Sequence, residues 1–215
     1  MAKLTKSSRQ WLQRQHKDPF VVAARKRGLR SRASIKLEQI QLRDRVIKRG
    51  MHVLDLGAAP GGWSQLAAQW VGAAGKVVAC DILTVKPIAG VSFIQGDFLC
   101  STVQQKIQSI VGGQLYSVVL SDIAPNFIGV SQADQLRMMQ LLTDMYVQLP
   151  SFLAIRGDFL VKVFQGVGFE EYLQRLKKDF AQVKVRKPLA SRKESKELYL
   201  LASAFKGRIK KDDIV

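Results

Sequence analysis

The sequence predicts an α/β fold: a mostly parallel sheet, covered by helices on both faces, with one antiparallel strand. Three observations predict it. The strand-like segments are near-continuous apolar runs, which suits strands buried on both faces. Helical segments alternate with them, as parallel crossovers require. The last two strand-like segments have no helix between them, so one of the two must reverse direction.

Taken in order, residues 1–30 are polar and basic, with Trp11 and Phe20 as scattered anchors, and read as an irregular arm. From Ser31 the chain reads as a helix with Ala33, Leu37 and Ile40 on one stripe, closed by Gly50. His52–Leu56 reads as a strand, followed by a glycine-rich turn and a helix over Ser64–Trp70. Lys76–Asp81, Val91–Gln95 and Tyr116–Asp122 read as the next three strands. A helix is expected from Ser131 to Leu149. Ser131 and Asp134 have capping-box spacing at its start, and Pro150 is expected to end it. Asp158–Phe164 reads as a fifth strand. Phe169, Tyr172, Leu173, Leu176 and Phe180 then mark an amphipathic helix, acidic at its start and basic at its end. Strands around Gln182–Arg186 and Leu198–Ala202, separated by the basic loop Lys187–Lys196, complete the body. The expected organisation is a basic arm (1–30), one catalytic domain (31–205) and a charged tail (206–215).

The chain has 215 residues, 47% hydrophobic and 24% charged, which suits one globular domain and excludes wholesale disorder. Two cysteines make neither a disulfide framework nor a zinc site. No apolar run is long enough to span a bilayer, and the N-terminus lacks a signal-peptide core. The expectation is a soluble, cytoplasmic monomer with no membrane partner and no metal.

Charge separates the chain into three parts. The formal net charge is +17. Residues 1–50 carry +12, residues 51–174 carry −3, and residues 175–215 carry +8. A near-neutral body with two basic ends points to a polyanion, because each Lys or Arg that meets a phosphate releases condensed counterion. Arg30, Arg32, Lys187, Arg192 and Lys193 are the candidate RNA contacts.

The strongest motif is Asp55-Leu-Gly-Ala-Ala-Pro-Gly-Gly-Trp-Ser-Gln, between a strand and a helix. Its spacing is neither the dinucleotide fingerprint nor a P-loop. Asp81 ends the next strand, where nucleoside-binding α/β folds place an acid for ribose hydroxyls. Asp97 and Asp122 end the third and fourth strands. Each alone reads as a turn or capping residue. Three on one rim beside a glycine-rich loop read as a ligand site. Lys162 interrupts the apolar run Phe159–Phe164, where a lysine is costly unless it is paired or functional. Lys36 lies beside the apolar stripe of its helix, where a snorkelling lysine is an equal reading.

Together with Ser121-Asp-Ile-Ala-Pro-Asn, Val161-Lys-Val-Phe-Gln-Gly, Ser195-Lys-Glu-Leu-Tyr and Gly28-Leu-Arg-Ser-Arg-Ala, this motif resembles the FtsJ-type ribosomal RNA 2′-O-ribose methyltransferases. The resemblance runs from about Trp11 to Ala204, with the blocks in order. It implies a class I, Rossmann-like, seven-stranded S-adenosylmethionine-dependent methyltransferase. It implies a tetrad of Lys36, Asp122, Lys162 and Glu197, and cofactor contacts from Gly61, Trp63, Asp81, Asp97 and Asp122. Ile123 stands where a methionine is common, and Ile155-Arg-Gly replaces Pro-Gly-Gly; neither touches the tetrad. The implied reaction methylates a uridine 2′-oxygen of 23S-type RNA in the 50S subunit, during ribosome maturation. Lys162 is expected to be the proton acceptor, with its pKa lowered by burial and a neighbouring lysine. Lys36 would supply positive charge, Asp122 would orient Lys162, and Glu197 would hold the other lysine or the ribose. The rival readings are a tRNA methyltransferase, a catalytically silent RNA-binding assembly factor and, more distantly, an NAD(P)-dependent oxidoreductase.

Overall fold

The computed structural model describes residues 18–125, 131–192 and 194–207. Trp11, Asn126, Lys193 and the tail from 208 lie outside the described residues. So does the side chain of Ser131, and with it the expected capping box.

Among the described residues, seven strands form one sheet in the order β3-β2-β1-β4-β5-β7-β6. They are β1 (His52–Leu56), β2 (Lys76–Asp81), β3 (Val91–Gln95), β4 (Tyr116–Ser121), β5 (Leu153–Phe164), β6 (Phe180–Arg186) and β7 (Glu197–Phe205). Strands β3, β2, β1, β4 and β5 are parallel, and β7 runs antiparallel to both β5 and β6. The single reversed strand is therefore the last, inserted between its two predecessors. The helices among the described residues are α1 (Pro19–Lys26), α2 (Ala33–Asp44), α3 (Gly62–Val71), α4 (Ser101–Ile110), α5 (Ser131–Phe152) and α6 (Phe169–Asp179). Helices α4, α5 and α6 cover one face, where Ile107, Met138, Leu142 and Tyr172 pack on Leu54, Val119, Phe159 and Val161. Helices α2 and α3 cover the other, where Leu37, Ile40 and Leu66 pack on Val53, Val118, Leu160 and Leu201. Strand order and helix layers together give the expected α/β architecture, a mostly parallel sheet covered by helices on both faces.

Four local readings are corrected. The expected irregular arm is helical over Pro19–Lys26. Asp18 accepts from the Phe20 N–H at 2.9 Å, Pro19 sits in the first turn, and Ala24 is buried against Ile35 and Ala190. Helix α4 has no counterpart in the sequence reading. Its inward stripe is only Val103 and Ile107, set among polar residues and without a side-chain cap. Helix α5 runs past Pro150 to Phe152, because Leu149 and Phe152 stay on the buried face while Pro150 faces solvent. Strand β5 starts at Leu153 rather than Asp158. Between its pairings Tyr116↔Leu153 and Val118↔Asp158 the extra residues form an irregularity, with Arg156 in the left-handed region (φ 67°).

The register positions the site. Strands β3, β2, β1 and β4 send their carboxyl ends to one rim. Lys162 of β5 lies opposite Tyr199 of β7, and Phe164 opposite Glu197.

Candidate active site

The turn from β1 into α3 is shaped by backbone that only glycine tolerates well. Gly57 has φ +71°, and a Cβ there would lie 2.0 Å from Cγ1 of Ile123. Gly61 has φ +99°, and a Cβ would lie 2.5 Å from Cδ1 of Ile88. The turn thus packs directly against the segments after β4 and β2.

Beside it, Asp81, Asp97 and Asp122 line a cavity of about 420 Å³. Asp81 accepts from the N–H groups of Ala59 and Leu83, each at 2.8 Å. Asp97 accepts from the Leu99 N–H at 2.9 Å. The Leu83 and Leu99 bonds are the turn-forming contacts expected of such residues, and the Ala59 bond ties Asp81 to the glycine-rich turn, yet each carboxylate keeps further acceptor positions at the cavity wall. Ile82, Phe98 and Ile123 supply apolar wall. Asp55 lies behind the turn, 1% exposed. Ser64 donates to its Oδ2 at 2.5 Å, while Oδ1 has no partner. Burial pushes this carboxyl up to about 7 against the Ser64 hydrogen bond, with the Asp122 and Asp81 charges adding to the rise.

On the α2 side of the same rim, the four tetrad candidates meet. Lys36 Nζ donates to Glu197 Oε1 at 2.6 Å and to the Tyr199 hydroxyl at 3.3 Å. The Ser191 hydroxyl donates to Glu197 Oε1 at 2.8 Å. The Tyr199 hydroxyl donates to Asp122 Oδ1 at 2.7 Å. Lys162 Nζ donates to the Asp122 carbonyl at 2.5 Å and lies 3.2 Å from its Oδ1. One polar chain therefore links Ser191, Glu197, Lys36, Tyr199, Asp122 and Lys162 across α2, β4, β5 and β7. Burial alone would raise the Glu197 carboxyl, but the Lys36 charge and hydrogen bond, with Ser191 and the Lys162 charge, hold it below the usual range. Burial, then the Asp122 and Glu197 carboxylates, keep the Tyr199 phenol protonated.

Tyr199 and Ser191 carry no role in the sequence reading. The signal for Tyr199 was present: it stands two residues after Glu197, on the same strand face. Nothing local marks Ser191, whose contact depends on how the β6–β7 loop folds back.

The remaining candidates are placed differently. The Trp63 indole is 2% exposed, donates to the Ala33 carbonyl at 2.8 Å, and lies 5.7 Å from the Tyr199 ring. Any ligand contact by this residue therefore comes from its main chain. Arg30 donates to the carbonyls of Pro60 (3.3 Å), Lys86 (2.8 Å) and Pro87 (2.6 Å) and so ties the 82–90 loop to the turn. Arg32 bonds Asp18 and the Ala190 carbonyl. Both arginines thus have internal partners. Lys187 and Arg192 are exposed, and Lys187 donates to the Ser195 carbonyl at 3.1 Å.

A family model described as FtsJ-like methyltransferase matches residues 29–205. The chain belongs to the FtsJ-like methyltransferase family. A crystal structure of a Plasmodium falciparum protein assigned as a ribosomal RNA methyltransferase is similar to it, at 28% identity and TM-score 0.75, covering 83% of this chain and all of that one. Aeropyrum pernix fibrillarin, in complex with natively bound S-adenosylmethionine, shares the fold at 14% identity and TM-score 0.56, over 80% of this chain and 74% of its own.

This FtsJ-like protein uses S-adenosylmethionine as its methyl donor. Its residues fit that molecule. Asp81 can accept from ribose hydroxyls and Asp97 from an adenine amino group, between the apolar walls of the cavity. The unpartnered Asp55 Oδ1 offers an acceptor to an ammonium.

Proposed function

We propose that the protein methylates the ribose 2′-oxygen of a uridine in large-subunit (23S-type) ribosomal RNA, within the 50S particle. The observation that carries the reading is the buried chain of Lys36, Glu197, Tyr199, Asp122 and Lys162 beside the carboxylate-lined cavity. Two lysines held in place by two carboxylates suit a reaction that must remove a proton from an alcohol and tolerate developing negative charge. The Plasmodium relative favours ribosomal RNA among RNA substrates, and the basic ends of the chain favour an RNA partner.

Bound S-adenosylmethionine supplies an electrophilic methyl group on a sulfonium sulfur. Lys162 is the group placed to accept the 2′-hydroxyl proton, while the oxygen forms its bond to the methyl carbon. The carbon–sulfur bond breaks, and its electron pair stays on sulfur. Asp122 holds Lys162 through both its carbonyl and its carboxylate. Lys36, fixed by Glu197, places positive charge near the oxygen as it loses its proton. Much of the acceleration comes from alignment of the oxygen with the methyl group.

The test is methyl incorporation from labelled S-adenosylmethionine into purified 50S subunits and tRNA from a strain lacking the modification. Incorporation into the 50S ribose is expected, and incorporation into tRNA alone would overturn the substrate. With 50S subunits, Lys162→Ala should lose on the order of 10²–10⁴ in single-turnover rate. Lys162→Arg should be nearly as poor, because a guanidinium keeps its proton. A near-wild-type rate for Lys162→Arg would overturn the base role while leaving the substrate intact.

A further inference from the structure

The carboxyl rim of the sheet carries a second cavity, of about 440 Å³, that no step of the reaction above uses. It shares no lining residue with the carboxylate-lined cavity. Phe164 and Gln165 line it, just beyond Lys162 on β5, and so does Lys196, the residue before Glu197. The two segments are joined there. Phe164 pairs with Glu197, and the Gln165 N–H donates to the Lys196 carbonyl at 2.9 Å. Gln132 and Leu136, from the first turns of α5, form the opposite wall.

The cavity is built around a pinned turn. The Gln135 amide donates to the carbonyls of Phe164 (3.3 Å) and Val167 (3.0 Å). A Cβ on Gly166 would lie 2.9 Å from Cδ of that side chain, so the glycine lets the turn sit on α5. Around the turn, Leu136 is 60% exposed and Val167 is 72% exposed. Gln132, Gln165 and Lys196 are exposed as well. Two uncovered aliphatic side chains with two amides, each able to donate and accept, suit a flat ring with a polar edge.

The geometry of methyl transfer says which ring. The oxygen must approach the methyl carbon from the side opposite the sulfur, so donor and ribose stand on opposite sides of the reacting centre. Along the strand order, the cofactor cavity spans the ends of β3, β2, β1 and β4, and the second cavity follows at β5 and β7. The base sits on the ribose carbon next to the one that bears the reacting oxygen. It therefore comes to rest beside the tetrad, on the side away from the donor. Resting on the ribose methyltransferase reading, we propose that this second cavity seats the uracil base of the target nucleotide. Leu136 and Val167 flank the ring, the Gln132 and Gln165 amides meet its edge, and Lys196 meets an adjoining phosphate.

The test compares oligouridylate with an abasic oligomer of the same length, bound to the full chain in the presence of S-adenosylhomocysteine. The wild type should bind oligouridylate about 10-fold more tightly. Leu136→Ser/Val167→Ser should lose that preference and hold the abasic oligomer as the wild type does. Lys196→Gln should weaken both oligomers alike and flatten the salt slope by about 0.7. Both substituted aliphatic positions are exposed, and wild-type S-adenosylhomocysteine affinity reports an intact fold. A wild type without the preference would overturn the proposal, as would a double variant that keeps it. Equal weakening of both oligomers by the double variant would also overturn it, because these side chains would then serve the backbone. A preference that behaves as expected in a protein that leaves 50S subunits unmethylated would uphold the base seat and overturn the ribosomal substrate alone.

Discussion

Lys36→Met removes one partner of a buried ion pair and nearly keeps its shape. Lys36 and Glu197 are 8% and 9% exposed, and their contact is 2.6 Å. Breaking such a pair from one side strands the other charge, which typically costs about 3–5 kcal/mol. The Ser191 hydroxyl would still donate to Glu197, so the low end, about 3 kcal/mol, is expected. For a chain of this length that lowers Tm by roughly 6–12 °C. The pH dependence fixes the origin. Glu197 is held below its unfolded value, so the stability it contributes in the wild type is present above the unfolded pKa, about 4.3. That stability is lost as pH falls through the lower folded value. In Lys36→Met the burial that opposes ionisation gains on the interactions that favour it, so protonation relieves the variant at a higher pH. The gap between the two proteins should be largest near neutrality and narrow on acidification. Lys36→Met/Glu197→Gln should recover part of the loss, with a coupling of about 1–3 kcal/mol in a double-mutant cycle. Urea denaturation from pH 4 to pH 8 measures the free energies, and thermal unfolding measures the Tm. A loss below about 1 kcal/mol, independent of pH, is the behaviour of a solvent-exposed pair and would refute the reasoning.

Asp81→Ala should weaken S-adenosylmethionine binding by about 1.5–3 kcal/mol in calorimetry, since ribose hydroxyls lose a charged acceptor; unchanged affinity would remove Asp81 from the site. Arg30→Ala should weaken the same binding and speed hydrogen exchange in the 82–90 loop, because three carbonyl tethers are lost. Unaltered exchange there would show that the loop is held by other contacts. The Asp55 carboxyl, raised to about 7 in the fold, keeps a proton that the unfolded chain releases near pH 3.9. Without cofactor, this group should erode stability as pH rises from about 4 to 7, with the loss levelling off above. Asp55→Asn should flatten that slope in urea titrations, and an identical slope would show that the carboxyl is ionised in the folded state.

The legible part of the site was its ends of strands. Asp81, Asp97 and Asp122 each stood where an apolar run gives way to a turn, and parallel pairing was enough to bring them to one rim. Lys162 was conspicuous because it broke a buried strand. Helix α4 was missed because two apolar residues among polar ones make a weak period, although Val103 and Ile107 suffice to bury it once β3 and β4 are in place. Pro150 misled because its steric rule concerns one turn of backbone, whereas the helix end follows the burial of Leu149 and Phe152.

By itself the sequence determined the α/β class, the reversed strand near the C-terminus and the glycine-rich turn, which follow from period and backbone freedom, both local; the four charged residues were named as a set by the resemblance to the FtsJ-type methyltransferases. Only the tertiary structure decided which partners those residues take. Lys36 and Glu197 are 161 positions apart and meet because the last strand inserts beside β5. That insertion sets Tyr199 against Lys162 and next to Asp122. It turns a tyrosine that looks like ordinary core into the bridge of the polar chain. Likewise, the basic residues Arg30 and Arg32 appear free in a charge count, yet the fold directs them onto carbonyls and Asp18. Charge can be counted along a chain, but a hydrogen-bond partner is a property of distance, and packing sets distance.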